Sequence, residues 1–408
     1  MELNMARHGK LVRTMFLLAA CAFAQATAAE TLTLGGDAPL SGPAASWGIG
    51  QMRGVQMAID EVNSRGGLNI AAKRYQVAIS AYDNKALPNE AASVANKLVL
   101  SEKVKYIMIA AVGATGRAIQ TVTAPNDVFF AFSCWGKELL GPQVPLNFRF
   151  GHSPYEVSDA YMAGIKNAHP QIKRIATLSP NDTSGWDGAK GDIRAAKKLG
   201  IEAVAEEYYE REQQDFRATL TRILAKKPDL IDLATSPMST GGVILKQLHE
   251  LGYRGPKAWA ACSMASTAVK ISGKEAAEGL YLAVNWNYTS PKYTLKPLHD
   301  VVGAYKAKYG EDWDYFGIAA YTGAKIVFAN MEKIGSVEPK LVAEALVKNQ
   351  PYDTVFGPLI FGNASVYGLP RNMIHPLVLS RIHDGEVENV TYGLHPDLQK
   401  VVGNWQFK

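Results

Sequence analysis

From Glu30 onward, short runs of apolar residues alternate with stretches in which apolar residues recur every three or four positions. A continuous apolar run predicts a buried strand, and the wider spacing predicts a helix with one apolar face. In the first third of the chain, this pattern predicts strands at Thr31–Leu34, Tyr75–Tyr82, Tyr106–Ala110 and Val128–Phe132, with helices at Met52–Val62 and Asn89–Leu100. Alternating strands and helices are typical of a parallel sheet covered on both faces.

The same alternation begins again near Ile175. It predicts strands at Ile175–Ser179, Ile201–Glu207, Leu230–Ala234 and Ala258–Ala261, with helices at Trp186–Leu199, Phe216–Ala225 and Gly242–Leu251. We expect crossovers at Pro145–Phe150 and Leu280–Tyr288, after which the helix Tyr315–Met331 returns the chain to the first unit. Since 408 residues also suit two domains, the sequence predicts an α/β protein with two similar lobes.

The first 28 residues differ from the rest of the chain. Three basic residues precede an apolar stretch that runs on to Ala26-Thr27-Ala28. This order is typical of a signal peptide, and the apolar stretch is shorter than the roughly 20 residues of a membrane-spanning helix. We therefore expect export to the periplasm with cleavage near Ala28. The stretch Leu18-Ala19-Ala20-Cys21 also resembles a lipobox, so a lipid anchor on Cys21 stays open as the second interpretation.

The composition indicates a globular protein and argues against nucleic-acid binding, a disulfide scaffold and a thiolate metal site. Hydrophobic residues make up 47% and charged residues 20% of the chain, as in a globular protein. Removing the leader takes away three basic residues and one acid, which lowers the formal charge from +5 to +3. Because no Lys/Arg block is present, we expect no nucleic-acid partner. Only Cys134 and Cys262 then remain, too few for a disulfide scaffold or a thiolate metal site, and we expect both to be free thiols.

No strong catalytic motif is present. The chain has no P-loop, no H-E-x-x-H, no C-x-x-C and no G-x-S-x-G. Within the glycine-rich run Ser41–Gly54, the residues Gly48 to Gly54 match a loose dinucleotide pattern. They lie too far beyond the first strand for the tight phosphate-binding turn of that pattern. We therefore expect no enzyme activity, metal or cofactor, and an NAD(P)-dependent oxidoreductase is a remote alternative.

Ligands of open parallel sheets bind at the carboxyl ends of the strands, where loops lead into helix N-termini. In two facing lobes, such loops meet across a cleft. The loops to consider are Ser41–Gly50, Val112–Gly116, Ser133–Gly136, Asn181–Trp186, Thr235–Thr240 and Ala261–Ser263.

The chain resembles the periplasmic solute-binding proteins of branched-chain amino acid type, which serve ABC importers. The similarity lies in TLTLGGDAPLSGPAASWGIGQMRGVQMAIDEVNSRGGLNI, AASVANKLVLSEKVKYIMIAAVGAT, VFFAFSC, DFRATLTRILAKKPDLI, GGVILKQLHELGYRG, AAYTGAKIVFANMEKIG and DTVFGPLIF. The resemblance implies two Rossmann-like lobes that are joined by a three-strand hinge and close on a solute, the type I periplasmic binding fold. The first lobe would comprise 29–152 and 286–370, and the second 153–285 and 371–408.

The resemblance also implies a set of ligand contacts. Trp47 takes the place of an aromatic residue that covers the solute, and the turn Gly113-Ala114-Thr115 takes that of the carboxylate-binding turn. The remaining implied contacts are Cys134, Trp135, Gly136, Tyr155, Trp186, Ser236, Pro237, Cys262 and Phe316. An anion at a helix N-terminus is favoured by free N–H groups and the helix dipole.

One departure from the family pattern bears on the solute. Where amino-acid binders carry an acid for the α-ammonium group, this chain has Cys262. Burying an ammonium group without a carboxylate would cost several kcal/mol. We therefore expect a carboxylate-bearing solute without an essential amine, aromatic or bulky enough to stack on Trp47, Trp135 and Trp186. Asp182 or Glu156 stays open as a source of the missing charge, and with it an amino-acid solute.

Two binding functions fit this sequence. The first is a monomeric component of an ABC importer that delivers its solute to membrane subunits. The second is a ligand-sensing receptor domain of the same fold. The signal peptide favours uptake, and thermal-shift screening against acids, amides and dinucleotides would separate these functions from the oxidoreductase.

Overall fold

The computed structural model describes residues 30–407, so the predicted signal peptide and Cys21 lie outside the described residues. Within 30–407 the strands are β1 (Glu30–Ala38), β2 (Leu68–Ile70), β3 (Lys73–Asp83), β4 (Tyr106–Ile107), β5 (Phe129–Phe132), β6 (Asn147–Arg149), β7 (Arg174–Pro180), β8 (Glu202–Tyr209), β9 (Leu230–Asp232), β10 (Lys257–Trp259), β11 (Leu280–Leu282), β12 (Tyr352–Thr354), β13 (Gly357–Gly362), β14 (Asn372–Ile374), β15 (Leu377–His383) and β16 (Glu386–Gly393).

The helices of the same region are α1 (Ala45–Ser64), α2 (Pro88–Asn96), α3 (Gly113–Thr123), α4 (Pro154–Ala168), α5 (Thr183–Lys198), α6 (Arg217–Ala225), α7 (Met238–Glu250), α8 (Ala265–Ser272), α9 (Lys274–Ala277), α10 (Lys296–Tyr309), α11 (Tyr315–Ile334), α12 (Pro339–Lys348), α13 (Ala364–Tyr367) and α14 (Pro396–Val402). None of the helices described has the length and apolar character needed to cross a membrane.

The strands form two sheets, one in each lobe. The first has the order β12-β13-β14-β6-β5-β4-β1-β3-β2, and the second β16-β15-β11-β10-β9-β7-β8. The central strands of both sheets pair in parallel, and antiparallel pairs lie at the edges. This agrees with the two α/β units predicted from the hydrophobic pattern. It also brings the carboxyl ends of the central strands to one side of each lobe.

The glycines of the Ser41–Gly54 run serve helix packing. Helix α1 already begins at Ala45, so Gly48, Gly50 and Gly54 lie inside a helix and not in a phosphate-binding loop. A Cβ atom at Gly48 would overlap the carbonyl oxygen of Pro39, and one at Gly54 would overlap that of Gly317 in α11. These glycines let α1 pack directly against its neighbours, which places Trp47 in the first turn of the helix.

The chain crosses between the lobes after β6, after β11 and between β14 and β15. Aromatic residues pack around these crossings. The rings of His152 and His375 lie 4.1 Å apart, and Tyr315 Oη lies 2.9 Å from His375 Nε2. Burial lowers the pKa of His375 to about 3, so the hinge side of the molecule is packed with neutral rings.

The C-terminal boundary differs from the predicted division at residue 370. Strand β14 pairs with β13 and β6 and so belongs to the first sheet. Helix α14 also returns to the first lobe, where Leu398 is buried with Ile360 and Ile374. The predicted second-lobe segment 371–408 therefore contributes only β15 and β16 to the second sheet. The contacts that draw α14 back are long-range, and no local pattern indicates them.

Candidate functional site

A small cavity lies between the two lobes, where the carboxyl ends of the central strands face each other. Its volume is about 20 Å³. It is lined by Trp47, Ala111, Ser133, Cys134, Trp135 and Phe316 from the first lobe and by Ser184, Thr235 and Ala261 from the second. This is less space than a small organic acid occupies, so the lobes must move apart to admit one.

The lobes touch directly around this cavity. The amide N–H of Gly113, at the start of α3, donates to Ser184 Oγ at 2.9 Å, and Ser184 Oγ lies 3.4 Å from the carbonyl oxygen of Trp135. Nearer the hinge, the N–H of Tyr315 at the start of α11 donates to the Ser263 carbonyl at 3.4 Å. The structure is therefore a closed arrangement of the cleft, with Ser184 reaching across it.

Three aromatic rings form much of the first-lobe wall. Trp47 and Phe316 pack edge to face with their centroids 6.2 Å apart, and both are almost fully buried. Trp135 is fixed by a hydrogen bond of 2.8 Å from its Nε1 to the carbonyl oxygen of His152. These contacts hold the rings at the cavity, where each can pack against an apolar or aromatic solute.

The N-terminus of α3 lies beside the cavity. The first N–H groups of a helix have no partner within it. The N–H group of Gly113 donates to Ser184 Oγ, whereas the N–H groups of Ala114 and Thr115 have no hydrogen-bond partner among residues 30–407. The Thr115 hydroxyl donates to the carbonyl of Val112 at 2.9 Å, which directs its hydrogen away from the cavity. The part of the predicted turn that is free to bind an anion is therefore its backbone.

Arg149 holds the second predicted turn in place. This fully buried side chain donates to the carbonyl oxygens of Cys134 at 3.0 Å and Gly136 at 2.6 Å. Its Nη1 atom donates to Tyr367 Oη and Asn372 Oδ1. Gly136 adopts φ +146°, which an L side chain rarely adopts. Arg149 thus fixes the backbone of the turn, while Ser133, Cys134 and Trp135 line the cavity.

Among residues 30–407, no acidic or basic side chain lines the cavity. Asp182 caps α5 and forms an ion pair of 2.6 Å with Arg211. Glu156 accepts hydrogen bonds from Ser153, Asn363 and Tyr367. Both acids considered as partners for an ammonium group are thus already bonded to the protein. Burial raises the pKa of the Cys134 thiol to about 12 and also raises that of Cys262, so both thiols are neutral.

Several residues that the resemblance implied lie outside the cavity lining, and these include Gly113, Ala114 and Thr115, which lie beside it at the start of α3. Trp186 is 40% exposed, and its Nε1 donates to Asn181 Oδ1. The Tyr155 hydroxyl donates to Asp187 Oδ1. The Ser236 hydroxyl donates to the Leu233 carbonyl and accepts from the Tyr209 hydroxyl inside the second lobe. Gly136, Pro237 and Cys262 are buried next to lining residues without reaching the cavity themselves.

Five lining residues were not singled out from the sequence, namely Ala111, Ser133, Ser184, Thr235 and Ala261. Four of them lie in loops that were expected to face the cleft, and Ala111 directly precedes another. The position of these loops at strand ends is a usable signal. Which residue of each loop faces inward depends on the backbone at the end of the strand, which the sequence does not reveal.

Comparisons with known proteins agree with this geometry. Residues 31–386 match the family described as "Periplasmic binding protein". The "Leu/Ile/Val-binding protein BraC3" of Rhizobium johnstonii is 26% identical over 355 residues, which cover 86% of this chain and 92% of the relative. The "Leu/Ile/Val-binding protein homolog 3" of Brucella melitensis is 24% identical, with 88% of this chain and 95% of the relative covered.

Solved structures share the fold. A solute binding protein of an ABC transporter from R. palustris in complex with benzoate superposes with a TM-score of 0.76 at 17% identity, covering 90% of this chain and 97% of that one. A branched-chain amino acid transporter substrate binding protein from Streptococcus pneumoniae in complex with isoleucine gives a TM-score of 0.74 at 22% identity, with 90% and 99% covered.

The family match covers most of the chain, and the two mostly parallel sheets are those of the type I periplasmic binding fold. Together with glycines that lie inside α1, this excludes the oxidoreductase interpretation. The chain therefore belongs to the periplasmic binding protein family, whose members are non-enzymatic solute-binding proteins of ABC transporters.

Proposed function

We propose that this protein is the extracytoplasmic solute-binding component of an ABC importer. It captures a small aromatic or otherwise bulky carboxylic acid between its lobes and delivers it to membrane subunits. The observation that carries this proposal is the lining of the interlobe cavity, with three aromatic rings and no acidic side chain, beside free N–H groups at the start of α3.

The lining favours a solute without a required amine. An ammonium group enclosed in this cavity would meet no carboxylate among its lining residues, and its desolvation would cost several kcal/mol. A carboxylate would instead meet the N–H groups of Ala114 and Thr115 and the positive end of the α3 dipole. Two charge-assisted hydrogen bonds of about 1.5–3 kcal/mol each are sufficient to orient the acid.

The rings of Trp47, Trp135 and Phe316 supply the apolar part of the site. Aromatic side chains pack well against a planar solute, in stacked or edge-to-face arrangements worth about 0.5–1.5 kcal/mol beyond the area they bury. The benzoate complex of a protein with the same fold supports an aromatic acid. The names of the curated relatives support a branched-chain amino acid as the solute. We prefer the aromatic acid because no acidic side chain among residues 30–407 lines the cavity.

Uptake requires the cleft to open and close. The residual cavity of about 20 Å³ cannot hold such an acid with the lobes in this position. The solute therefore enters an open form and stabilises a closed one, slightly wider than the closed arrangement described above, in which both walls contact it and the hydrogen bond between Gly113 and Ser184 is kept. We propose that the importer recognises this closed form. The monomeric state and the predicted signal peptide stay predictions.

A thermal-shift screen tests this function. The panel comprises benzoate, 4-hydroxybenzoate, leucine, isoleucine, benzamide and NAD. A ligand at about 100 times its dissociation constant stabilises the folded protein by about 2.7 kcal/mol. We expect the aromatic acids to raise the melting temperature, benzamide to raise it less, and NAD to leave it unchanged. Binding of leucine or isoleucine alone would contradict the proposed solute class.

Two tryptophans provide a matched pair of variants. Trp47 lies on the cavity and Trp186 lies outside it, 40% exposed. We expect Trp47→Ala to weaken binding of the acid found by the screen and Trp186→Ala to leave it unchanged, as measured by calorimetry. Equal effects of the two substitutions would show that the solute does not occupy this cavity.

A further inference from the structure

Two acidic side chains lie buried in the second lobe and form no ion pair with any residue of 30–407. Asp192 on α5 and Asp232 at the end of β9 are both fully buried, and their carboxyl groups are in contact. Asp232 Oδ1 accepts the N–H of Ala234 at 2.9 Å. The Ser158 hydroxyl faces Asp192, but the other three oxygens of the pair accept no hydrogen bond of regular geometry from residues 30–407. Two carboxylates in such contact cannot both be ionised, and one shared proton supplies the missing donor.

The surroundings of the pair provide hydroxyl groups and little charge. Helix α4 contributes Ser158 and Tyr161, and β7 contributes Thr177, whose Cα is the register partner of Asp232. Arg194 on α5 acts electrostatically on Asp192, but it is partly exposed and pairs with Asp159. The Cys262 thiol lies near Tyr161. Burial raises the pKa of both acids, and the charge of Asp192 raises that of Asp232 further.

On α5, the pair belongs to a stripe that leads to the cleft. Ser184, Gly188 and Asp192 are four residues apart and therefore lie on one face of the helix. Ser184 contacts the first lobe. A Cβ atom at Gly188 would lie 2.8 Å from Thr235 Cγ2, so helix and turn approach closely here.

A second column of contacts runs parallel to this stripe. Asp232 holds the N–H of Ala234, which adopts φ +40°, a conformation that costs energy for a residue with a side chain. Thr235 follows directly and lines the cavity beside Ser184. The contact between Asp192 and Asp232 thus joins the inner ends of two elements whose outer ends form the second-lobe wall of the cavity.

We propose that Asp192 and Asp232 share one proton and that this link positions the cleft wall. The carboxylic acid O–H of one residue donates to a carboxylate oxygen of the other, and the pair carries one negative charge. The bond holds α5 against the turn 233–236, so that Ser184 and Thr235 reach the cavity together. Loss of the proton places two like charges in contact and loosens the turn. The relevance of this link to solute capture rests on the proposed function, whereas the link itself does not.

Urea unfolding of the protein at about pH 5.5 and about pH 8.5 tests the shared proton. In Asp232→Asn, the amide oxygen can still accept from Ala234, and the amide N–H₂ gives Asp192 a permanent donor. We expect the unfolding equilibrium constant of the unmodified protein to rise at least about tenfold more than that of the variant over this pH range, since one proton is lost only in the former. The matched control is Asp353→Asn, an exposed acid, which should behave like the unmodified protein.

Asp192→Asn provides a second variant with the same expectation, in case Asp232→Asn does not fold. An equal pH dependence in the unmodified protein, the control and both pair variants would overturn the shared proton. No solute is used, so a negative solute screen leaves this result untouched, and failure here leaves the proposed function standing.

Hydrogen exchange tests the positioning role, because a merely structural pair would change global and not local protection. After correction for the intrinsic rate, we expect the amides of 234–240 to exchange at least about tenfold faster at about pH 8.5 than at about pH 5.5, while the amides of β1 stay protected. In Asp232→Asn this local difference should disappear. Exchange in 234–240 that follows β1 at both pH values would overturn the positioning role.

Discussion

Ser184→Ala is expected to weaken solute binding without unfolding the protein. In the closed cleft, Ser184 Oγ accepts the Gly113 N–H from the opposite lobe at 2.9 Å. Both residues are buried there. When the lobes separate, water can hydrate both groups, so the substitution penalises the closed form more than the open one.

The size of the effect follows from the lost hydrogen bond. A buried N–H group left without an acceptor costs about 1–3 kcal/mol, which corresponds to about 5- to 150-fold weaker binding if the solute requires closure. Calorimetric titration with the acid from the thermal-shift screen measures this ratio. Ser272→Ala is the matched control, because the Ser272 hydroxyl donates to Ala268 within its own helix, and its binding should be unchanged. Unchanged affinity in Ser184→Ala would refute the assignment of this contact to the solute-bound form.

Three further tests, with four substitutions, address the packing, a buried acid and the support of the cavity wall. Gly54→Ala should lower the unfolding free energy by about 1–3 kcal/mol through overpacking. Gly303 has open space around it, so Gly303→Ala should raise the unfolding free energy by about 0.5–1 kcal/mol. Urea unfolding measures both effects. Burial raises the pKa of Asp314 to about 7. Its contribution to stability is therefore full below about pH 4 and is lost as the pH rises to about 7. Between these pH values, the unfolding free energy of Asp314→Asn in urea should fall less than that of the unmodified protein. Arg149→Lys loses the planar fork that holds the Cys134–Gly136 turn, so calorimetry should show weaker acid binding. An unchanged affinity would contradict this role of Arg149. An unchanged pH dependence in Asp314→Asn would contradict the raised pKa of Asp314, and equal effects of the two glycine substitutions would contradict the close packing at Gly54.

Local periodicity was sufficient to locate most strands and helices, because burial of one face repeats within each element. The start of α1 was missed for a tertiary reason. The glycines of Ser41–Gly54 indicate a loop when considered locally, but they lie in a helix because they let it pack closely on α11. The return of α14 to the first lobe depends on Leu398 meeting residues far away in sequence, which no window of sequence contains.

The candidate site was predictable to the level of loops. The carboxyl ends of parallel strands always face the same way, so the loops around Ser133, Thr235 and Ala261 could be expected at the cleft. The direction of single side chains could not, as Trp47 and Trp186 show. Both are tryptophans beside glycine near a helix start, yet only Trp47 lines the cavity. The shared position of Asp192 and Asp232 also depends on how α5 packs over β7, the neighbour of β9.

The central claim is that the interlobe cavity binds a carboxylate through the N–H groups at the start of α3. The most direct test is a calorimetric comparison of benzoate, benzamide and benzylamine with the unmodified protein. The account predicts one benzoate bound per chain and no binding of benzylamine. Benzamide should bind at least about tenfold more weakly, since its neutral carbonyl oxygen accepts weaker hydrogen bonds than a carboxylate. Equal binding of benzoate and benzamide, or binding of benzylamine alone, would contradict it.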